Sequence, residues 1–137
     1  MDGGETTVAL DVWLLRAGEK PGAGELVAQL DWDGYFEYLR PYWPASSSNG
    51  KAVDLYDDAV FRGANLKQLE GGLERALRDL EGRPGTWEEC IGQQIKPEVK
   101  KVFAAVEKAE LSALITRLCA AIDRAMKDDR ELLFFGD

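Results

Sequence analysis

Leu111, Leu114, Ile115, Leu118 and Ile122 recur at offsets of 3, 4, 7 and 11, a spacing that lays all five on one stripe of a helix turning about 100° per residue. Cys119, Ala125 and Met126 border that stripe. A helix so patterned must lie on another apolar surface. Beyond Lys127, the cluster Asp128, Asp129 and Arg130 interrupts the pattern, and Leu132, Leu133, Phe134 and Phe135 follow without alternation. Such a run predicts a strand covered on both faces. The stretch 107–137 therefore constrains the fold more than any other, as a helix and a buried strand that the rest of the chain must enclose.

A second helix is predicted over 65–82. Asn65 and Gln68 have the spacing of a capping box, and Leu66, Leu69, Leu73, Leu77 and Leu80 form the stripe behind it. Gly71 and Gly72 weaken this helix by about 1 kcal/mol each relative to alanine, a cost the leucine stripe offsets. Residues 99–106 fit either period: Val99, Val102, Phe103 and Val106 as a helix, or Val102, Ala104 and Val106 opposite Phe103 and Ala105 as a strand. A helical stripe there would be centred about 125° from that of 111–122, so one straight helix could not bury both. Phase thus favours a strand, a break at 107–110 where Glu107 and Glu110 imitate a capping box, and a new helix.

In the first half, residues 5–16 set Val8, Leu10, Val12 and Leu14 against Ala9, Asp11, Trp13 and Leu15, which predicts a strand. Three glycines and a proline make 17–24 a loop. From Glu25 the reading is helical, weakened at Gly34 and ending by Pro41. Residues 44–50 read as a flexible surface loop. Short strands are predicted within 52–61, where Val53 and Leu55 alternate with Asp54 and Tyr56 until the run gives out at Asp57 and Asp58, and over 87–91. The resulting order implies one α+β domain spanning 1–137, a mixed, mainly antiparallel sheet of about five strands with three helices packed on it.

Composition narrows the chemistry. A chain of 137 residues buries roughly 65–70% of its unfolded surface and needs no metal or disulfide staple. The net charge of −8 opposes nucleic-acid and anionic-membrane binding, which draw on Lys and Arg. No run of about 20 apolar residues occurs and no signal-peptide pattern follows Met1, so the expected location is the cytoplasm. The chain has no histidine, which removes His-assisted nucleophiles, His-ligated zinc and His acid–base catalysis. Cys90 and Cys119 lack CxxC partners and read as buried reduced thiols, with a disulfide as the alternative. Neither a dinucleotide loop nor a P-loop is present. The expectation is no cofactor, no metal and no catalytic residue.

Two clusters remain. Asp54, Asp57 and Asp58 read as a solvated acidic turn, as a partner-binding edge, or as carboxylates for a metal or for catalysis. The stretch 31–43 holds six of the thirteen aromatic residues, Trp32, Tyr35, Phe36, Tyr38, Tyr42 and Trp43, among Asp31, Asp33 and Glu37. One reading sends Trp32, Phe36 and Leu39 into the core. The other makes a binding surface with Tyr and Trp as anchors and carboxylates facing a basic partner. Residues 1–62 carry 11 acids and 5 bases, a net of −6, against a net of −2 for the remainder. The candidate partner-binding set is Asp33, Glu37, Tyr38, Tyr42, Trp43, Asp54, Asp57 and Asp58.

The acidic segment VDLYDD, the leucine-striped helix, the segment WEECIG and a terminal helix followed by LLFFGD resemble, over roughly 53–137 and in overall pattern, the immunity proteins encoded beside polymorphic or contact-dependent bacterial toxins. That resemblance implies inhibition of a toxin, such as a nuclease, by tight stoichiometric binding through an acidic surface that mimics its substrate. It carries over no individual residue. The expected function is therefore a protein-binding module directed at a basic toxin domain, and the alternative is a small enzyme or ligand-binding domain using Asp54, Asp57 or Asp58.

Overall fold

The computed structural model describes residues 9–31, 33–94 and 99–136, without the side chains of 93 and 94. Its elements are β1 (Ala9–Leu15), β2 (Glu25–Asp31), α1 (Gly34–Leu39) with a 3₁₀ turn (Arg40–Tyr42), β3 (Ala59–Phe61), α2 (Ala64–Leu80), β4 (Thr86–Gln94), β5 (Lys100–Glu107), α3 (Lys108–Lys127) and β6 (Glu131–Phe135). The fold is α+β. Four strands form a sheet in the order β2-β1-β6-β3, and β4 with β5 forms a separate ribbon. The single sheet of about five strands is thus divided into four and two, and every pairing among the described residues is antiparallel.

Register separates the two faces of the four-stranded sheet. Ala28, Val12, Phe134 and Ala59 lie opposite one another across the strands, and so do Leu14, Leu132 and Phe61. All seven are buried and share one cluster with Leu66, Leu69 and Leu73 of α2 and with Leu111, Ile115, Leu118 and Ile122 of α3. The predicted stripes of both long helices therefore meet over the sheet's inner face. Fully burying each such side chain contributes about 1.5–3 kcal/mol. Val106 of the ribbon joins the same cluster, and Trp87 packs against it.

The expected helix from Glu25 is the strand β2. Buried Ala28 and Leu30 alternate there with exposed Gln29 and Asp31, and the hairpin through 16–24 pairs the segment with β1. Helix begins only after Asp33, whose Oδ1 accepts the Phe36 N–H at 3.0 Å as a side-chain N-cap. Gly34 follows because a Cβ at that position would collide with Val106 Cγ2. The short helix and the ribbon can approach only without that atom.

Other boundaries also move. The strand predicted on the alternation of 53–56 is a turn, since Asp54 Oδ1 accepts the Tyr56 N–H at 2.8 Å, and the strand lies beyond the acidic pair, at Ala59–Phe61. Asn65 does not cap α2: Gly63 holds the N-cap position at φ 55, while Asn65 bonds Gln68 and Ser48 side chains. Glu107 makes no capping bond either, and Glu110 instead accepts the Tyr35 hydroxyl at 2.7 Å. The strand preferred over 99–106 is β5, with α3 starting at Lys108. At the other end of α3, Asp129 adopts φ 55 and the Arg130 N–H reaches Ala125 O at 2.8 Å, a Schellman-type closure that redirects the chain into β6. That strand is not covered equally on both faces, for Leu132 and Phe134 are buried and Phe135 is exposed. Both thiols are free, with Cys90 exposed rather than buried and Cys119 half-buried. Trp32 and the start of the predicted 5–16 strand lie outside the described residues.

Candidate functional site

The segment between the 3₁₀ turn and β3 is built by its own side chains. Ser48 N–H donates to Val60 O at 2.7 Å, Ser47 N–H to Lys51 O at 2.9 Å, and Asn49 Nδ2 to Asp58 O at 3.0 Å. The low-complexity stretch 44–50, expected to be flexible, is therefore a cap on the outer edge of β3. It leads into a tight acidic loop. Leu55 is buried and anchors that loop, while Tyr56, one residue on, is 67% exposed. Asp57 Oδ1 accepts the Asp58 N–H at 2.9 Å and its Oδ2 meets Lys51 Nζ at 3.2 Å. The backbone bond and Lys51 hold the Asp57 carboxyl below its ordinary range, and for a side chain this open to solvent that effect is screened by salt. Asp58 Oδ1 accepts the Gly136 N–H at 3.0 Å, so the end of β6 is clipped to the loop.

Behind Tyr56 lies a cleft of about 270 Å³ lined by Phe36, Arg40, Asp54, Leu55 and Tyr56. Phe36 gives it an apolar floor. The Arg40 guanidinium stands 5.2 Å from the Phe36 ring centre and bonds Glu37 Oε2 at 2.6 Å. A cation and the Asp54 carboxylate thus face one another across apolar surface, with an exposed phenol at the rim.

The structure gathers four of the eight predicted site residues here: Asp54, Asp57 and Asp58 on the loop, and Glu37 through Arg40. The other four are placed elsewhere. Asp33 caps α1 beside a different, small depression shared with Tyr35, Glu110 and Arg117, and burial raises its pKa. Tyr38 is only 4% exposed and donates its hydroxyl to Ala76 O at 2.8 Å, which makes it a core residue and not a surface anchor. Tyr42 donates to Asp79 Oδ2 at 2.8 Å, and burial and that carboxylate push its pKa up. Trp43 packs between Phe36 and Phe134, with ring centroids 6.4 and 5.6 Å away. The aromatic stretch therefore ties α1 to α2 and to β6. The residue missed by reading the sequence is Tyr56. Its signal was present, because in the alternation of 53–56 burying Leu55 turns Tyr56 outward.

Among the described residues no three Asp, Glu or Cys side chains come together as a metal-holding group. The larger groove, about 690 Å³, lies between α2 and α3, where Glu74, Arg78, Glu81 and Lys108 mix both charges. Lys108 Nζ is committed there to the carbonyls of Glu81 and Arg83. No described helix is long and apolar enough to cross a membrane. Compared with protein-family models, curated proteins and solved structures, the chain matches none.

Proposed function

We propose that this chain is a stoichiometric protein-binding module that occupies and neutralises a basic protein, most specifically a toxin domain, as the immunity proteins it resembles do. The observation that carries the reading is Tyr56, held 67% exposed between Asp54, Asp57 and Asp58 on a hydrogen-bonded loop. A tyrosine has only two side-chain torsions to order on binding, so it loses little conformational entropy there and is among the side chains that dominate interfaces. The carboxylates around it, on a chain of net charge −8, speed encounter with a cationic surface and disfavour other partners.

The test uses the protein encoded by the reading frame adjacent to this one. In the triple variant Asp54→Asn, Asp57→Asn, Asp58→Asn, each amide oxygen keeps an acceptor for the loop's backbone bonds while the charge is removed. Association should slow about tenfold or more at low ionic strength and converge on the wild-type rate at high salt. Tyr56→Ala should instead speed dissociation by about 30-fold, equivalent to about 2 kcal/mol. Failure of the wild type to form any complex removes the reading, and unchanged on-rates for the triple variant remove the acidic loop from it.

A further inference from the structure

The second face of the four-stranded sheet carries an apolar row where water should favour polar side chains. Leu26 pairs with Trp13, Trp13 with Leu133, and Leu133 with Val60. Residues directly opposite in antiparallel strands share a face, so these four form one row across all four strands. The row stands opposite to the buried Ala28, Val12, Phe134 and Ala59. Trp13, Leu133 and Val60 are half-buried, Leu26 is 43% exposed, and Phe135, on the same side of β6, is 41% exposed. None of the five belongs to the cluster that takes up the helices' stripes. An antiparallel sheet with one solvated face ordinarily carries polar residues there, and a contiguous apolar row of this kind marks an interaction surface.

Charge at its margin identifies the occupant. Asp11 lies directly opposite Phe135, Asp31 pairs with Ala9 one step further along the same face, and Asp58 meets the chain at Gly136. None of these three carboxylates forms a salt bridge among the described residues. At the opposite margin Arg62 is engaged by Glu131 at 3.7 Å, so that pair leaves no net charge. The surface is thus an apolar row with an unbalanced negative border, continuous through Asp58 with the Tyr56 loop.

We infer that the outer sheet face is the principal docking surface for the basic protein, with the Tyr56 loop at its margin. The inference rests on the protein-binding reading above and adds where the partner sits and what it must present: apolar side chains edged by Lys or Arg. A second copy of the chain fits worse, because two bodies of net charge −8 repel.

The experiment measures binding of the adjacent-frame protein to Leu133→Lys and to Phe135→Lys, with thermal melts of both. Hydroxyl-radical footprinting of the wild-type complex accompanies them. Phe135 is exposed, so its variant should keep the wild-type melt even where Leu133→Lys does not. Affinity should fall about 30-fold or more in each folded variant, and Trp13, Leu133 and Phe135 should be shielded from oxidation in the complex. If Phe135→Lys binds within twofold of wild type and those side chains oxidise as in the free protein, the sheet face is not the interface. Slowed association of the triple loop variant would then leave the protein-binding reading standing. A wild type that sediments alone as a dimer, and that Leu133→Lys returns to monomer, would make a second copy the occupant and overturn the inference. Absence of any complex with the wild type overturns both.

Discussion

The carbonyl oxygen of Tyr42 occupies the space a Cβ on Gly72 would need, so α2 and the 3₁₀ turn can touch only because residue 72 has no side chain. Its neighbour Gly71 has nothing within 4 Å of the same position. Two adjacent glycines in one helix therefore respond oppositely to one methyl group. Gly71→Ala should stabilise the protein by about 0.5–1 kcal/mol through helix propensity. Gly72→Ala gains the same propensity but forces the backbones apart, and should destabilise by about 1–3 kcal/mol net. Chemical denaturation of the two variants measures both signs, and equal effects would show that the contact with Tyr42 is not a constraint.

Trp43 contributes its ring to the core, but its indole Nε1 is buried without a hydrogen-bond partner among the described residues. An unsatisfied buried donor costs about 1–3 kcal/mol. Trp43→Phe removes that donor and keeps an aromatic ring against Phe36 and Phe134, so its melting temperature should equal or exceed the wild-type value. Trp43→Ala should lose about 3–5 kcal/mol. A Phe variant as unstable as the Ala variant would mean that the N–H is satisfied after all.

Glu70 on α2 faces Asp123 on α3, and burial, followed by that carboxylate and Glu74, raises its pKa above the ordinary 4.5, with Lys67 opposing. A carboxyl with a raised native pKa binds its proton more tightly folded than unfolded. Its contribution is therefore full below about pH 4.5 and is lost as pH rises through the folded value. Glu70→Gln keeps the side chain's shape and removes the repulsion from Asp123 and Glu74. It should melt higher than wild type at pH 7, with the difference shrinking as pH falls toward 4.5. A difference that stays constant across this range would remove the pair from the pH response.

The two thiols should differ in reactivity. Cys90 is exposed on the ribbon, whereas burial and the neighbouring Glu70, Glu74 and Asp123 push the Cys119 thiol up to about 11. The thiolate is the reactive form. A disulfide reagent at pH 8 should titrate one thiol per native chain quickly and the second only after denaturant. Two fast thiols would show that the α2–α3 interface opens readily.

Local pattern determined much of this protein. The stripes Leu111–Ile122 and Leu66–Leu80 named both long helices and their buried faces, because helical period is written in side-chain spacing alone. The phase mismatch between 99–106 and 111–122 also located the turn from β5 into α3. Tertiary structure decided where one short segment admits two periods or where burial depends on a distant partner. Residues 25–31 became a strand through pairing with β1. Tyr38, Tyr42 and Trp43 went inward because Ala76, Asp79 and Phe134 stand 38, 37 and 91 positions away to receive them. Whether Leu133 and Trp13 face helices or solvent was likewise unwritten in LLFF and VWLL: alternation says that neighbouring residues point to opposite faces of a sheet, and only the packing of α2 and α3 on one of those faces decides which is the outside.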